Sequence, residues 1–287
     1  MRVRLTLVGF MLCVLAILPA SASAITGGTY DGNGHPYVGI VTNGATTCSG
    51  TLLSPTVMVT AAHCFSDGSA PIGRNTATGA PLVAVSFQPD FGQLAKPAHV
   101  WYIGSYYWDP AFAGGNSPSS VTGDVAIVVF TPTGCLASPP GGPSGSCGPI
   151  PAPATSGRYG ALPSQGLVDT LPNNTAVGLV GYGVNGFATG GGKPQQVAML
   201  LRFAAQTTLV GGGPAGDRLI KLHANNGGAC FGDSGGPNLL GTTNVVLAVN
   251  SFVDNDVCAG VTHSYRIDTA SSLAFITSTA AAYGGSL

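Results

Sequence analysis

VGIVTNGATTCSGTLLSPTVMVTAAHC, residues 38–64, is the stretch that decides the fold of this chain. It holds three short apolar runs, at residues 38–41, 48–53 and 57–60, and an Asn-Gly and a Ser-Pro turn separate them. Asn-Gly between apolar runs indicates a hairpin, and short runs rich in valine and threonine indicate strands. The stretch therefore predicts strands joined by tight turns.

The same pattern continues through the chain. Further apolar runs lie at residues 82–87, 99–103, 125–130, 176–180, 197–203, 206–210, 218–222 and 245–252. One helix is expected, with Asp268 or Thr269 as its N-cap, a body from residue 270 to about 282, and Gly284 just past its end. The helices of 10–15 residues that a βαβ fold needs between strands are missing. We therefore expect an all-β chain of two antiparallel barrels followed by a terminal helix.

The first 24 residues have the pattern of a signal peptide. Arg2 and Arg4 give a basic start, an apolar run covers residues 5–19, and Ala22-Ser23-Ala24 supplies small residues for cleavage. The run is shorter than the roughly 20 residues that cross a bilayer. We predict an exported, extracellular protein that leaves the membrane once the signal is removed; an uncleaved membrane anchor is the alternative.

Charge and cysteine content indicate which ligands and cofactors the protein is not expected to bind. Only 7% of the residues are charged and the net charge is -1, so the sequence offers no basic face for nucleic acid or anionic lipid. Cys13 leaves with the signal peptide, and the remaining six cysteines allow 15 pairings. An even number in an exported chain favours disulfides, and no histidine lies at zinc spacing from them, so we expect neither a metal nor a cofactor. We predict that neighbours in sequence pair: Cys48–Cys64, Cys135–Cys147 and Cys230–Cys258.

Three short motifs carry the chemistry: TAAHC at residues 60–64, GDVAIV at 123–128 and GDSGGP at 232–237. They supply His63, Asp124 and Ser234 in that order. A serine hydroxyl is a weak nucleophile at neutral pH unless a base lies within hydrogen-bond reach and a carboxylate holds that base in the right tautomer.

These motifs resemble those of the chymotrypsin-like (trypsin-fold) serine proteases over nearly the whole mature chain, and we interpret the chain as a secreted, bacterial-type member. The resemblance implies two antiparallel six-stranded β-barrels and a monomeric endopeptidase acting on proteins or peptides. It makes His63 the general base, Asp124 the carboxylate that orients it and Ser234 the nucleophile. The backbone N–H groups of Gly232 and Ser234 would form the oxyanion hole.

The resemblance also implies an activation pair. Ile25-Thr26-Gly27-Gly28 resembles the family's Ile-Val-Gly-Gly start, whose new ammonium pairs with the aspartate just before the serine, here Asp233. Cleavage after Ala24 would expose Ile25 directly, so secretion itself would produce the active enzyme without a separate zymogen step.

The resemblance implies a substrate pocket comprising Gly228, Ser251, Phe252, Val253 and His263. Trypsins carry an aspartate at the position of Gly228, so no charge awaits a lysine or arginine. The Cys230–Cys258 bond would tie the pocket walls together. We expect a shallow apolar pocket for small or medium side chains. Tyr106, Tyr107 and Trp108 are candidates either for substrate contact or for packing within their own loop.

The expected domain boundaries are residues 1–24 for the signal peptide, 25–133 for the first barrel, 134–157 for a Pro/Gly/Ser-rich linker with a disulfide loop, 158–268 for the second barrel, and 269–287 for the helix and tail.

Several alternatives remain open at this stage. Asp67, Asp90 and Asp109 compete with Asp124. Residues 232–236 also satisfy the G-x-S-x-G motif of α/β-hydrolases, with Asp254 or Asp256 and then His263 as partners, although the expected strand before the serine and helix after it are missing. A catalytically silent homologue that binds a partner through the same cleft, or an esterase on the same fold, is the functional alternative.

Overall fold

The structure is a computed structural model. It describes residues 25–66, 71–91, 99–113, 120–188, 195–198, 200–210, 218–224 and 227–287, so the predicted signal peptide lies outside the described residues.

Strands dominate the described part of the chain. The first half contains β1 (Thr29–Tyr30), β2 (Val38–Thr42), β3 (Thr47–Ser54), β4 (Val57–Thr60), β5 (Gly73–Arg74), β6 (Pro81–Ser86), β7 (Tyr102–Trp108), β8 (Ala126–Val129) and β9 (Ser146–Cys147). The second half contains β10 (Ala176–Gly181), β11 (Val184–Ala188), β12 (Gln195–Ala198), β13 (Phe203–Thr208), β14 (Leu219–His223), β15 (Pro237–Leu240), β16 (Val246–Val253) and β17 (Val261–Arg266). The helices are α1 (Ala152–Thr155) and α2 (Ala270–Ala282), with 3₁₀ turns at Ala62–Cys64 and Leu167–Thr170.

Six antiparallel strands close the first barrel. Their order is β6-β2-β3-β4-β8-β7, and β7 pairs with β6 to complete the circle. Apolar side chains of these strands belong to one buried core, among them Val41, Leu52, Met58 and Val128, which the register places on the same face of the sheet. Closure leaves the six strands without a free edge, and the short strands β5 and β9 extend the sheet outside the barrel.

The second barrel has the order β13-β10-β15-β16-β17-β14. An antiparallel bridge between Leu209 and Leu222 closes it, because Leu209 directly follows β13 and Leu222 lies in β14. The all-β fold of two six-stranded barrels that the sequence predicted is confirmed.

The structure departs in two places from the predicted division of the chain into two barrels and a linker. β1, placed by the sequence in the first barrel, pairs with β13 of the second barrel's sheet, with Thr29 opposite Ala204 and Tyr30 opposite Phe203. The predicted linker also contains regular structure, namely β9, which pairs with β7, and the single turn α1.

The terminal helix α2 begins and ends where the sequence predicted. The Thr269 hydroxyl caps it by accepting the Ser272 N–H at 3.2 Å. Ile276 and Ala280 on its buried face belong to the core of the first barrel, and the helix contacts β8. The C-terminal end of the chain therefore returns to the barrel that holds the predicted base.

Some strand predictions were wrong. A strand was expected at residues 99–103, but β7 begins at Tyr102 and continues to Trp108. One strand was expected at residues 197–203, where the structure has the end of β12 and the start of β13. β15 and β17 were missed. β15 begins with a proline, and β17 carries two buried polar side chains that have charged partners: Arg266 bonds to Asp268 and Asp169, and His263 bonds to Asp254.

Candidate active site

The register of two strands brings His63 and Asp124 together. β4 and β8 are antiparallel, and Thr60 lies opposite Ala126. His63 follows Thr60 by three residues in a 3₁₀ turn, and Asp124 precedes Ala126 by two, so both lie at the same end of the strand pair. The Nδ1 atom of His63 is 2.9 Å from Oδ2 and 3.1 Å from Oδ1 of Asp124. The backbone N–H of His63 also donates to Oδ1 at 2.9 Å.

Asp124 is almost wholly buried and its remaining lone pairs are satisfied, because the Ser251 hydroxyl donates to Oδ2. Burial alone would raise the pKa of this carboxyl, but the charge of His63 and the hydrogen bonds from His63 and Ser251 outweigh it and hold the pKa below its usual value. The carboxylate therefore stays ionised at neutral pH. It keeps the ring proton of neutral His63 on Nδ1, which leaves the lone pair on Nε2.

Ser234 lies in the loop between β14 and β15 of the second barrel, and this loop rests on the first barrel. The Ser49 N–H donates to the Ser234 carbonyl at 2.8 Å, and the Ser49 hydroxyl donates to the Gly232 carbonyl at 3.0 Å. Gly235 has φ +76°, and a Cβ there would lie 2.1 Å from Thr60 Oγ1 and 2.5 Å from the Ser49 carbonyl. Only glycine permits this approach, which sets Ser234 beside the turn that carries His63.

The same loop leaves two backbone donors unused. The N–H groups of Asp233, Gly235 and Gly236 each donate to a backbone carbonyl. In the described part of the chain, the N–H groups of Gly232 and Ser234 have no hydrogen-bond partner. Gly232 has φ +94°, a left-handed conformation that favours glycine. The two predicted oxyanion-hole donors thus lie in one turn and are unoccupied by protein acceptors.

Asp233, between them, is fully buried under this loop. Its carboxylate accepts N–H groups from Gly183 at 2.8 Å, from Cys230 at 2.9 Å, and from Ile25. Burial raises its pKa to about 7, although the three hydrogen bonds act in the opposite direction. Ile25 is an internal residue of this chain and is itself fully buried, so its N–H reaches Asp233 as a peptide amide.

A cavity of ≈390 Å³ opens beside Ser234. It is lined by His63, Ala229, Cys230, Phe231, Ser234, Asn250, Ser251, Phe252, Val253, Asp254, Asn255, Asp256 and His263. Four of the five predicted pocket residues are therefore in its wall. Gly228 is not: it forms a two-way backbone bridge with Thr26, and a Cβ added to it would lie 2.5 Å from Ala224 Cβ.

The cavity wall is more polar than the sequence suggested. His263 stacks on Phe252 with ring centroids 4.4 Å apart, and its Nε2 lies 3.0 Å from Asp254 Oδ1. Burial lowers the pKa of His263 against the opposing effect of Asp254, so the ring is neutral at pH 7. Asp254 and Asp256 both line the cavity, which adds two carboxylates to a pocket expected to be apolar.

The alternatives named from the sequence fare differently. Asp67 lies outside the described residues, and the Asp109 carboxylate caps its own loop by accepting the Ala111 N–H at 2.8 Å. Asp254 and His263 do contact each other, as the α/β-hydrolase interpretation required. However, Ser234 is followed by strand β15 rather than by the helix of that fold.

Three disulfides join Cys48 to Cys64, Cys135 to Cys147 and Cys230 to Cys258. The first ties β3 to the turn that carries His63. The third joins two residues that are buried together with Val184 beside the cavity wall.

Known proteins resemble parts of this chain. A family model described as Trypsin matches residues 24–90. Coagulation factor XII from Cavia porcellus is 31% identical over 142 residues, which are 44% of this chain and 22% of that protein. The chain thus aligns with about a fifth of this curated relative.

Solved structures match over most of the chain. HL collagenase superposes with a TM-score of 0.58 and 18% identity, covering 91% of this chain and 99% of that one. The fold is trypsin-like. A mutant of human heparin binding protein superposes with a TM-score of 0.58 and 17% identity, covering 90% of this chain and 97% of that one. Human heparin binding protein superposes with a TM-score of 0.54 and 18% identity, covering 84% of this chain and 91% of that one. At 17–18% identity, these superpositions show the fold.

Within this trypsin-like fold, the hydroxyls of two tyrosines bond to the backbone directly before His63 and Asp124, a role that the sequence did not predict. The Tyr106 hydroxyl lies 2.8 Å from the carbonyl oxygens of both Ala61 and Ala62, directly before His63. The Tyr265 hydroxyl accepts the Gly123 N–H at 2.9 Å, directly before Asp124. Tyr106 is fully buried, so it packs and does not meet substrate. The strand pattern of residues 102–108, in which alternate side chains face inward, was the signal that could have shown this.

Proposed function

We propose that this chain is a secreted serine endopeptidase of bacterial type that cleaves peptide bonds through His63, Asp124 and Ser234. The observation that carries the proposal is the bond between His63 and the buried, ionised Asp124, at the edge of a cavity whose wall also includes Ser234. The three disulfides suit an oxidising compartment. In the described part of the chain, no helix has the length and apolar character to cross a membrane.

The proposed reaction assigns one role to each of these groups. Nε2 of His63 takes the proton of the Ser234 hydroxyl as its oxygen attacks the substrate carbonyl, and the positive charge that forms on the ring is stabilised by Asp124. The N–H groups of Gly232 and Ser234 bind the negative oxygen of the tetrahedral intermediate; such a donor contributes about 3–4 kcal/mol in the transition state. His63 then protonates the leaving amine, and water hydrolyses the acyl-enzyme with His63 again as the base.

We propose a preference for small or medium apolar residues at the cleaved position. Phe252, Val253 and Phe231 supply apolar wall, and no charged side chain stands at Gly228. Asp254 and Asp256 bring negative charge to the same cavity, so acidic side chains should be the poorest substrates.

The decisive experiment treats the secreted protein with a reagent that acylates active serines and assays hydrolysis of a peptide library. We expect one label per chain at Ser234, abolished in Ser234→Ala and nearly abolished in His63→Ala. A matched variant, Ser144→Ala, removes an exposed serine that bonds to Ser138 and should label normally. A folded protein that neither labels nor cleaves any peptide would contradict the proposal, and cleavage of esters alone would favour an esterase.

A binding role is the second candidate, because two of the structural matches are named for binding heparin. Heparin is a polyanion, and a chain with 10 basic and 11 acidic residues lacks the excess positive charge that would hold it. A binder of another ligand would show affinity for it in Ser234→Ala and no turnover in the natural chain.

A further inference from the structure

A fully buried arginine lies at the junction of the two barrels, outside the site described above. The side chain of Arg202 is 0% exposed and that of its partner Asp31 is 2% exposed, with Nε 2.8 Å from Asp31 Oδ2. Nη1 donates to the carbonyls of Val38 and Phe87, both at 3.0 Å, which belong to the first barrel. The guanidinium therefore holds the first barrel and the N-terminal segment at once.

Asp31 is fixed from several directions. Its backbone N–H donates to the Arg202 carbonyl at 2.9 Å. Its carboxylate accepts the His35 backbone N–H at 2.9 Å and lies 2.6 Å from His35 Nδ1. Burial opposes ionisation, but the hydrogen bonds from His35 and the charge of Arg202 outweigh it and keep the pKa of Asp31 below its usual value. The pair is thus a fixed, charged anchor.

The segment that this anchor fixes leads directly to the oxyanion loop. Residues 29–30 pair with β13, and Thr26 donates to and accepts from the Gly228 backbone at 3.0 and 3.1 Å. The backbone N–H of Ile25, the next residue in this segment, donates to the Asp233 carboxylate. Asp31 thus fixes the segment six residues from Ile25, at the far side of the Thr26–Gly228 bridge.

We propose that Asp31 and Arg202 are positioning residues for catalysis: their ion pair sets the register of residues 25–31 so that Ile25 reaches Asp233 and holds the Gly232–Ser234 turn in its hydrogen-bonding conformation. The catalytic part of this inference rests on the proposed function; the structural part does not. Neither residue touches the cavity.

The test begins with a measurement that needs no activity. In a Ser234→Ala background, amide hydrogen exchange is followed at Thr26 and Gly228 for the natural anchor and for Asp31→Asn. We expect both amides to exchange about tenfold faster or more in the variant, because the segment opens locally more often. The control is Asp169→Asn, which removes one charged partner of Arg266, another buried arginine, far along the chain from this segment. It should leave both amides protected.

The second measurement is catalytic and uses Ser234 intact. Asp31→Asn should lower kcat by about 100-fold with little change in KM, as expected when an oxyanion donor is misplaced while the cavity persists. Adding the free dipeptide Ile-Thr at millimolar concentration should restore kcat, since it can occupy the vacated place beside Asp233 and Gly228. A merely structural role for the ion pair predicts no rescue.

The outcomes separate the two proposals. Unchanged exchange at both amides in a folded Asp31→Asn protein would overturn the inference. Faster exchange in a protein that hydrolyses nothing, even with its natural anchor, would refute the proposed function and leave the structural inference standing. If Asp31→Asn does not fold, Asp31→Asn combined with Arg202→Met removes both buried charges, a change that proteins tolerate better, and its exchange at Thr26 and Gly228 decides the question in the same way.

Discussion

A chain that starts at Ile25 should differ in the pH dependence of its stability from one in which another residue precedes Ile25. In the chain with a residue before Ile25, Asp233 is buried and accepts three backbone N–H groups, and its pKa is about 7 against an ordinary 3.8. A rise of that size corresponds to about 4 kcal/mol, at about 1.4 kcal/mol per pKa unit. No discount for solvent applies, since the carboxyl is fully buried.

The direction follows from proton binding. Between pH 4 and 7 the folded chain holds a proton on Asp233 that the unfolded chain has lost, so the free energy of unfolding falls as pH rises through this range. The stabilisation that protonated Asp233 gives the folded chain is fully present below pH 4 and is lost by pH 7. An ammonium at Ile25 would place a positive charge on the carboxylate, lower its pKa and remove most of this slope.

The assay is denaturant unfolding from pH 4 to 7.5 on two Ser234→Ala chains, one starting at Ile25 and one with a single alanine before it. Asp233→Asn in the longer chain is the control, and it should flatten the profile. If the two chains lose the same free energy of unfolding across this range, Asp233 does not discriminate between an amide and an ammonium and the reasoning fails.

Three further predictions concern the site itself. Ser251→Ala removes a donor from Asp124, so the pKa of that carboxyl should rise and kcat should fall by about tenfold; a pH–rate profile that keeps its acidic limb would contradict this. Gly235→Ala should abolish activity and lower the melting temperature, since its Cβ would lie 2.5 Å from the Ser49 carbonyl; thermal unfolding checks it. In a chain starting at Ile25, the ammonium's pKa should be raised above about 8 by its partner, so activity should hold below that pH and fade reversibly above it; constant kcat to pH 11 with the fold intact would exclude the pair.

The barrels were predictable because their strands are short apolar runs bounded by turns, as in residues 38–64. β17 was not, because His263 and Arg266 read as polar surface until their partners are known. A sequence shows a residue's polarity but not whether a distant carboxylate neutralises it.

The site shows the same contrast between local patterns, which a sequence reveals, and distant partners, which it does not. His63, Asp124 and Ser234 stand in local motifs, and the structure brings the first two into contact and sets the third in the same cavity. Gly228 was placed in the cavity wall by analogy and lies elsewhere, because the bridge with Thr26 involves backbone atoms that no side-chain pattern reports. The anchor of Asp31 and Arg202 spans 171 positions and has no local signature.

If the chain is cleaved ahead of Ile25, the burial of Ile25 limits when that cleavage can occur. A peptidase must lay several residues of its substrate in an extended form across its own cleft, and a side chain with no exposed surface cannot be presented in that way. Any enzyme that trims the chain immediately ahead of Ile25 must therefore act while this end is still loose, during or before collapse of the second barrel. A precursor that folded too early would be sealed against its own processing.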